Sequence, residues 1–169
     1  MKKVFSLFIV VVLAVTAVNA QTAWVTQKID DKVSVKFPSA PKVENGVYRL
    51  KDKDSVGYAL NIVDFQAVAN LDSAALAPMK DTEEFAGQLK AGLEQSLQGI
   101  VLSDITIGKW KGYTTYSLTG NNAAKKTKLY LQMILIGSKM YSMSSAVPDA
   151  APAAGLKNKD LYFTSATVK

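Results

Sequence analysis

Few side chains in this sequence can do covalent chemistry. It contains no histidine and no cysteine. That removes Cys₂His₂-type zinc sites, cysteine nucleophiles, Ser-His-Asp triads and disulfide scaffolds. A base would have to be Asp, Glu, Lys or Tyr. One nucleophile motif stands out, Ser39-Ala40-Pro41-Lys42, which fits S-x-x-K. The spacing works in catalysis because a helix places Ser and Lys on one face. Pro41 biases Ala40 away from helix, and no Ser-Asp-Asn or Lys-Thr-Gly partner is present. The motif therefore reads as a surface loop. Asp52-Lys53-Asp54-Ser55-Val56-Gly57 faintly resembles a calcium loop, but Val56 occupies its fifth position and Val63 the twelfth, where Glu is needed. Glu83-Glu84 is explained by a helix N-terminus, where the macrodipole favours acids. Gly108-Lys109-Trp110 lacks the earlier Gly and the Ser/Thr of a phosphate loop. No catalytic residue, metal ligand or cofactor site is assigned, and the chain is read as not an enzyme.

The charged residues point to surfaces instead. The formal net charge is +6, from 20 basic and 14 acidic residues. Arg49 is the only arginine. Bidentate recognition of phosphate or guanine favours arginine, so nucleic acid is not expected as a partner. Lys125, Lys126 and Lys128 read as a solvated hairpin tip. Trp110, at a turn between Lys109 and Lys111 and brought toward Lys139 by the turn geometry, has two readings. It folds back to cap the core, or it anchors an unknown protein, glycan or anionic envelope component through an aromatic with a basic rim.

The first twenty residues read as an address. Lys2 and Lys3 precede Val4–Val18, a run of 15 residues interrupted only by Ser6 and Thr16. Such a run is shorter than the roughly 18–20 residues of a spanning helix. Val18-Asn19-Ala20 then suits a signal peptidase. Cleavage is expected between Ala20 and Gln21, with export to the periplasm or beyond and no later transmembrane segment. Losing Lys2 and Lys3 takes the basic count from 20 to 18 against 14 acids, a net charge of +4. Residues 21–169 then form one globular domain, large enough to bury roughly 70% of its unfolded surface.

Period-two and period-four patterns set the elements. Residues 24–37 hold two extended pieces, the second placing Val33, Val35 and Phe37 on one face. Val47–Lys51 and Gly57–Phe65 form a hairpin. Leu71–Lys80 is a short helix broken near Pro78. Residues 81–98 form a longer helix with Asp81 as N-cap and Glu84 at N3, and with Phe85, Leu89, Leu93 and Leu97 facing the core. Strands follow at 101–107, 113–119, 127–136 and 139–146, joined by turns at Gly108–Gly112, Gly120–Lys126 and Gly137-Ser138. The last reads as a type II′ hairpin. Short turns make this an antiparallel meander. The 127–136 strand is apolar on both faces, which needs cover on both sides. A C-terminal helix over 158–166, carrying Leu161, Tyr162 and Phe163, supplies the second cover. The expected class is α+β: a mostly antiparallel sheet with helices on both faces, a three-layer α-β-α sandwich.

Phe37-Pro38, the hairpin, the helical middle, Tyr113–Leu118, Lys139-Met140-Tyr141-Ser142 and the closing Leu161-Tyr162-Phe163-Thr164-Ser165 together resemble the PsbP-like α/β/α sandwich group. That group includes the extrinsic photosystem II protein and many small exported bacterial proteins. The resemblance spans roughly 24–166. It implies a non-catalytic accessory or binding protein and carries over no functional residue. A binding module working through loops on a rigid sandwich is the first expectation. The alternative is a small-ligand carrier or enzyme with a pocket between helix and sheet, lined by Tyr113, Tyr116, Tyr130 or Tyr141.

Overall fold

The computed structural model describes residues 24–169; the leader expected over residues 1–20 and the expected cleavage after Ala20 lie outside the described residues. Chain order is β1 (Val25–Lys28), β2 (Val33–Phe37), β3 (Lys42–Glu44), β4 (Val47–Lys51), β5 (Gly57–Asp64), α1 (Phe65–Ala69), α2 (Ser73–Leu76), α3 (Glu83–Ser96), β6 (Val101–Leu102), β7 (Thr106–Trp110), β8 (Tyr113–Asn122), β9 (Thr127–Ile136), β10 (Lys139–Pro148), α4 (Ala153–Thr164) and β11 (Thr167–Val168). Eight strands make one antiparallel sheet in the order β3-β4-β5-β10-β9-β8-β6, with β7 also paired to β8. A small sheet, β1-β2-β11, places β2 in its centre.

The meander and hairpin form as their patterns require. β8, β9 and β10 pair in sequence, and β5 adds to the far side of β10. The turn from β9 to β10 has Gly137 at φ 64° and Ser138 outside the positive region, the sign pattern of a type II′ turn. β9 is central, and its two faces feed different cores. Ile134 and Ile136 join Phe37, Tyr58, Leu60, Tyr141, Met143 and Tyr162. Leu131, Met133 and Leu135 join Leu76, Phe85, Tyr116, Leu118 and Met140. The molecule is thus an α+β fold about a large antiparallel sheet.

Several boundaries differ from the sequence expectations, each for a local reason. The helix expected over Leu71–Lys80 shortens to α2, Ser73–Leu76, and a further short helix not expected from the sequence, α1, precedes it. Asp64 caps α1 by accepting from the Gln66 amide, and Asn70 ends it in the left-handed region. Asp72 restarts the chain as α2 by accepting from the Ala75 amide. The N-cap of α3 is Thr82, whose hydroxyl accepts from the Phe85 amide at 3.2 Å. Asp81 is drawn off to Lys109 and Thr114, so no capping box forms. The strand expected at 101–107 splits into β6 and β7, both on β8. The turn placed at Gly108–Gly112 contracts to Lys111-Gly112, both at positive φ. Gly120 belongs to β8, not to a turn. It is glycine for space: a Cβ there would meet Ile100 Cγ2 at 2.5 Å and Leu102 Cδ2 at 2.8 Å. The C-terminal helix starts earlier than expected, at Ala153. Its Tyr162 is fully buried, but Leu161 is exposed, because the two stand about 100° apart on the helix.

The α3 stripe carries the largest correction. Phe85 and Ala86 are buried, stacked near Phe65 and Tyr116. Leu89, Leu93 and Leu97 are only half-buried. Leu89 and Leu93 pack against the margin of the core that holds Leu131 and Met133, and with Leu97 they line a hollow between helix and sheet.

Candidate functional site

α3 lies over one face of the large sheet and leaves open a groove of about 700 Å³. This is within the range of small-molecule sites. Gln88, Leu89, Gly92, Leu93, Ser96 and Leu97 form its helical wall. The other wall is assembled by strand register. Residues directly opposed in an antiparallel ladder point to the same face. One row therefore runs from Leu131 in β9 to Ser144 in β10, Ala59 in β5 and Arg49 in β4. The next runs from Met133 to Ser142 and Asn61. Met140, Val63 and Phe65 close one end.

The groove grades from apolar to polar across the sheet. Leu131 and Met133, at its inner side, are buried. Ser142, Ser144 and Asn61 are half-buried one and two strands further out. Arg49 is exposed on β4, and Lys42 opposes it on the edge strand β3. Arg49 takes part in none of the ion pairs found among the described residues. The arrangement can bury apolar atoms at one side and meet negative charge at the other.

The four tyrosines expected to line such a pocket do not line it. Tyr116 and Tyr141 are buried in the two cores. The Tyr116 hydroxyl donates to the Lys80 carbonyl, and that of Tyr141 to Asp30. Burial pushes both phenols well above their ordinary range. Tyr113 and Tyr130 pack against the core on the other face. The lining comes instead from the polar members of two central strands, β5 and β10. Asn61, Ser142 and Ser144 were the available signal, as polar positions on a strand face that is otherwise apolar.

The structure divides the basic and aromatic cluster expected around Trp110. Trp110 opposes Tyr113 across a two-residue turn, and Lys139 opposes Ile136 on the neighbouring hairpin, so both lie at one end of the sheet. Trp110 is half-buried against the core that holds Ile136, with the Lys111 ammonium 4.9 Å from its ring centroid. Lys139 reaches to 3.8 Å from Asp30 Oδ2. Burial raises the Asp30 carboxyl, but the Tyr141 hydroxyl, the Val33 and Lys32 amides and Lys139 together hold it below the usual carboxylate range. Lys109 points to the opposite face, where its ammonium donates to Asp81 at 2.6 Å and to Thr114 Oγ1 at 3.0 Å. The Lys109 and Thr114 hydrogen bonds keep the Asp81 carboxyl below its ordinary value.

The two sequence motifs with catalytic or metal-binding overtones have structural placements. Ser39 lies on a bend and Lys42 opens β3. Asp52 uses Oδ1 to accept from the Asp54 and Val56 amides and Oδ2 to accept from the Tyr58 hydroxyl, which fixes the turn before β5. Among the described residues no helix is long and apolar enough to cross a membrane.

The solution structure of cyanobacterial PsbP (CyanoP) from Synechocystis sp. PCC 6803 is similar to this one, with a TM-score of 0.62 over 90% of this chain and 96% of that one, at 12% sequence identity. The fold is therefore PsbP-like, as the sequence resemblance implied. A crystal structure from Bacteroides thetaiotaomicron VPI-5482 aligns at a TM-score of 0.49 and 10% identity, over 81% of this chain and 45% of the other. No family model matches the sequence, and no curated protein matches it significantly.

Proposed function

We propose that the chain is an exported, non-catalytic binding module that holds a small, largely apolar molecule between α3 and the sheet. The groove carries this reading. Leu89, Leu93 and Leu97 keep their stripe toward the sheet, yet stay half-exposed over a cavity large enough for a ligand. Filling that space with protein side chains would gain about 25 cal/mol per Å² of apolar surface buried. A surface left open at that cost is what a site for another molecule requires. Export is supported by Lys2, Lys3 and the Val4–Val18 run. The non-catalytic reading is supported by Ser39 and Lys42, which stand on a bend and a strand rather than one helix face. The same reading takes the molecule as three layers. α3 covers one face through Phe85, and α4 covers the other through Tyr162, with which Tyr58 makes an edge contact at 5.2 Å.

Native mass spectrometry of protein purified from its own host, without organic washes, tests this. The expected result is a noncovalent adduct of one small molecule. Gly92 lines the groove, and a Cβ there meets nothing within 4 Å. Gly92→Phe should therefore abolish the adduct while the protein still melts cooperatively. A bare protein mass, together with no uptake of an apolar fluorescent dye, would overturn the proposal.

A further inference from the structure

Taking the groove as a ligand site, we infer that its ligand is a single-chain amphiphile with an anionic head, its tail under α3 and its carboxylate or phosphate on Arg49. The direction follows from the register. Leu131, Ser144, Ala59 and Arg49 occupy one row on adjacent strands β9, β10, β5 and β4. Three strand spacings separate the first from the last, roughly 14 Å. Over that distance the lining passes from buried Leu131 and Met133, through Ser142, Ser144 and Asn61, to an exposed guanidinium. A tail laid along the row would meet Leu89 and Leu93 from above and Met133 and Leu131 from below.

The head-group assignment rests on the chemistry of Arg49. A guanidinium offers a planar fork that matches carboxylate or phosphate oxygens bidentately. This is the one arginine in the sequence. It stands at the polar end of the groove, and no carboxylate pairs with it among the described residues. Lys42, directly opposite on β3, adds positive charge to the same edge. Glu44 lies two residues further along β3 and pairs in register with Val47, not with Arg49. A neutral head would leave the exposed guanidinium to solvent and gain no charge pairing, and a cationic head would be repelled.

Calorimetric titration of the delipidated protein with decanoate, decyl phosphate and decanol tests the assignment. At least one anionic probe should bind tenfold or more tightly than decanol, and which one it is distinguishes a carboxylate from a phosphate ligand. Arg49→Gln should lower the affinity for that probe to the level of decanol and leave decanol unchanged. Arg49→Lys should retain part of the preference, and Lys125→Gln, on a remote hairpin tip, all of it. Should Arg49→Gln fail to fold, the comparison of head groups on the native sequence and the Arg49→Lys variant still decide. Equal binding of acid and alcohol, or a preference that survives Arg49→Gln, overturns the head-group inference and leaves the groove as an apolar site. Failure of all three probes to bind overturns the groove reading and the inference with it.

Discussion

Asp30 shows how much one carboxylate can do in a chain without disulfides. Its Oδ1 accepts from the Lys32 and Val33 amides at 2.8 and 2.9 Å, and its Oδ2 accepts from the Tyr141 hydroxyl. The loop before β2 is thereby tied to the centre of the large sheet. Because its carboxyl is held below the usual range, the folded state takes up that proton less readily than the unfolded chain. Its contribution to stability is full above the ordinary carboxylate pKa and disappears as pH falls through the depressed value. Asp30→Asn should therefore lower the melting temperature at pH 7. It should also make the decline between about pH 5 and pH 3 shallower than in the parent. Asp81, likewise depressed by Lys109 and Thr114, keeps part of the slope. A variant with an unchanged acid limb, read by thermal melts across that range, would remove Asp30 from this role.

At the scale of elements, α3 is buried at its N-terminal end through Phe85 and Ala86 and only partly buried further along, where Leu89 and Leu93 meet the core and line the groove. Phe85→Ala should cost about 3–5 kcal/mol, as for a buried aromatic. Leu93→Ala, on a half-buried groove wall, should cost about 1 kcal/mol or less. Denaturant titration of both variants checks the contrast; equal losses would mean that α3 packs along its whole length. The same helix shows what the sequence could and could not reveal. Its stripe of Phe85, Leu89, Leu93 and Leu97 established which face looks inward, because periodicity encodes direction. It did not reveal the gap beneath, since separation from the sheet depends on what the opposite wall supplies. That wall offers Ser142, Ser144 and Asn61, drawn from strands about eighty residues apart in sequence and joined only by register. β9 was legible in full, since Leu131, Met133 and Leu135 alternate with Tyr130, Ile134 and Ile136 in the sequence itself. The N-cap shifted by one residue because Asp81 has a better partner in Lys109, a long-range contact that local pattern does not carry.

On the scale of the whole molecule, Tyr162 connects the parts. It is fully buried, lies 5.2 Å from both Phe37 and Tyr58, and donates to the Ala59 carbonyl at 2.7 Å. One side chain of α4 thus touches the small sheet and the large one. Tyr162→Ala should cost about 3–5 kcal/mol, and Tyr162→Phe about 1–2 kcal/mol for the lost hydrogen bond. Both should shift near- and far-ultraviolet circular dichroism transitions together, whereas separate transitions would show that α4 melts independently. The small sheet has a further consequence. β11 pairs with β2, and Ser165 Oγ accepts from the Lys36 amide across 129 residues of sequence. Closing so long a loop is slow relative to forming the local β8-β9-β10 ladders. In kinetic terms β11 is expected to be a late clasp, made after the rate-limiting barrier. Weakening it at Thr167 would leave the folding rate nearly unchanged and shorten the lifetime of the folded state.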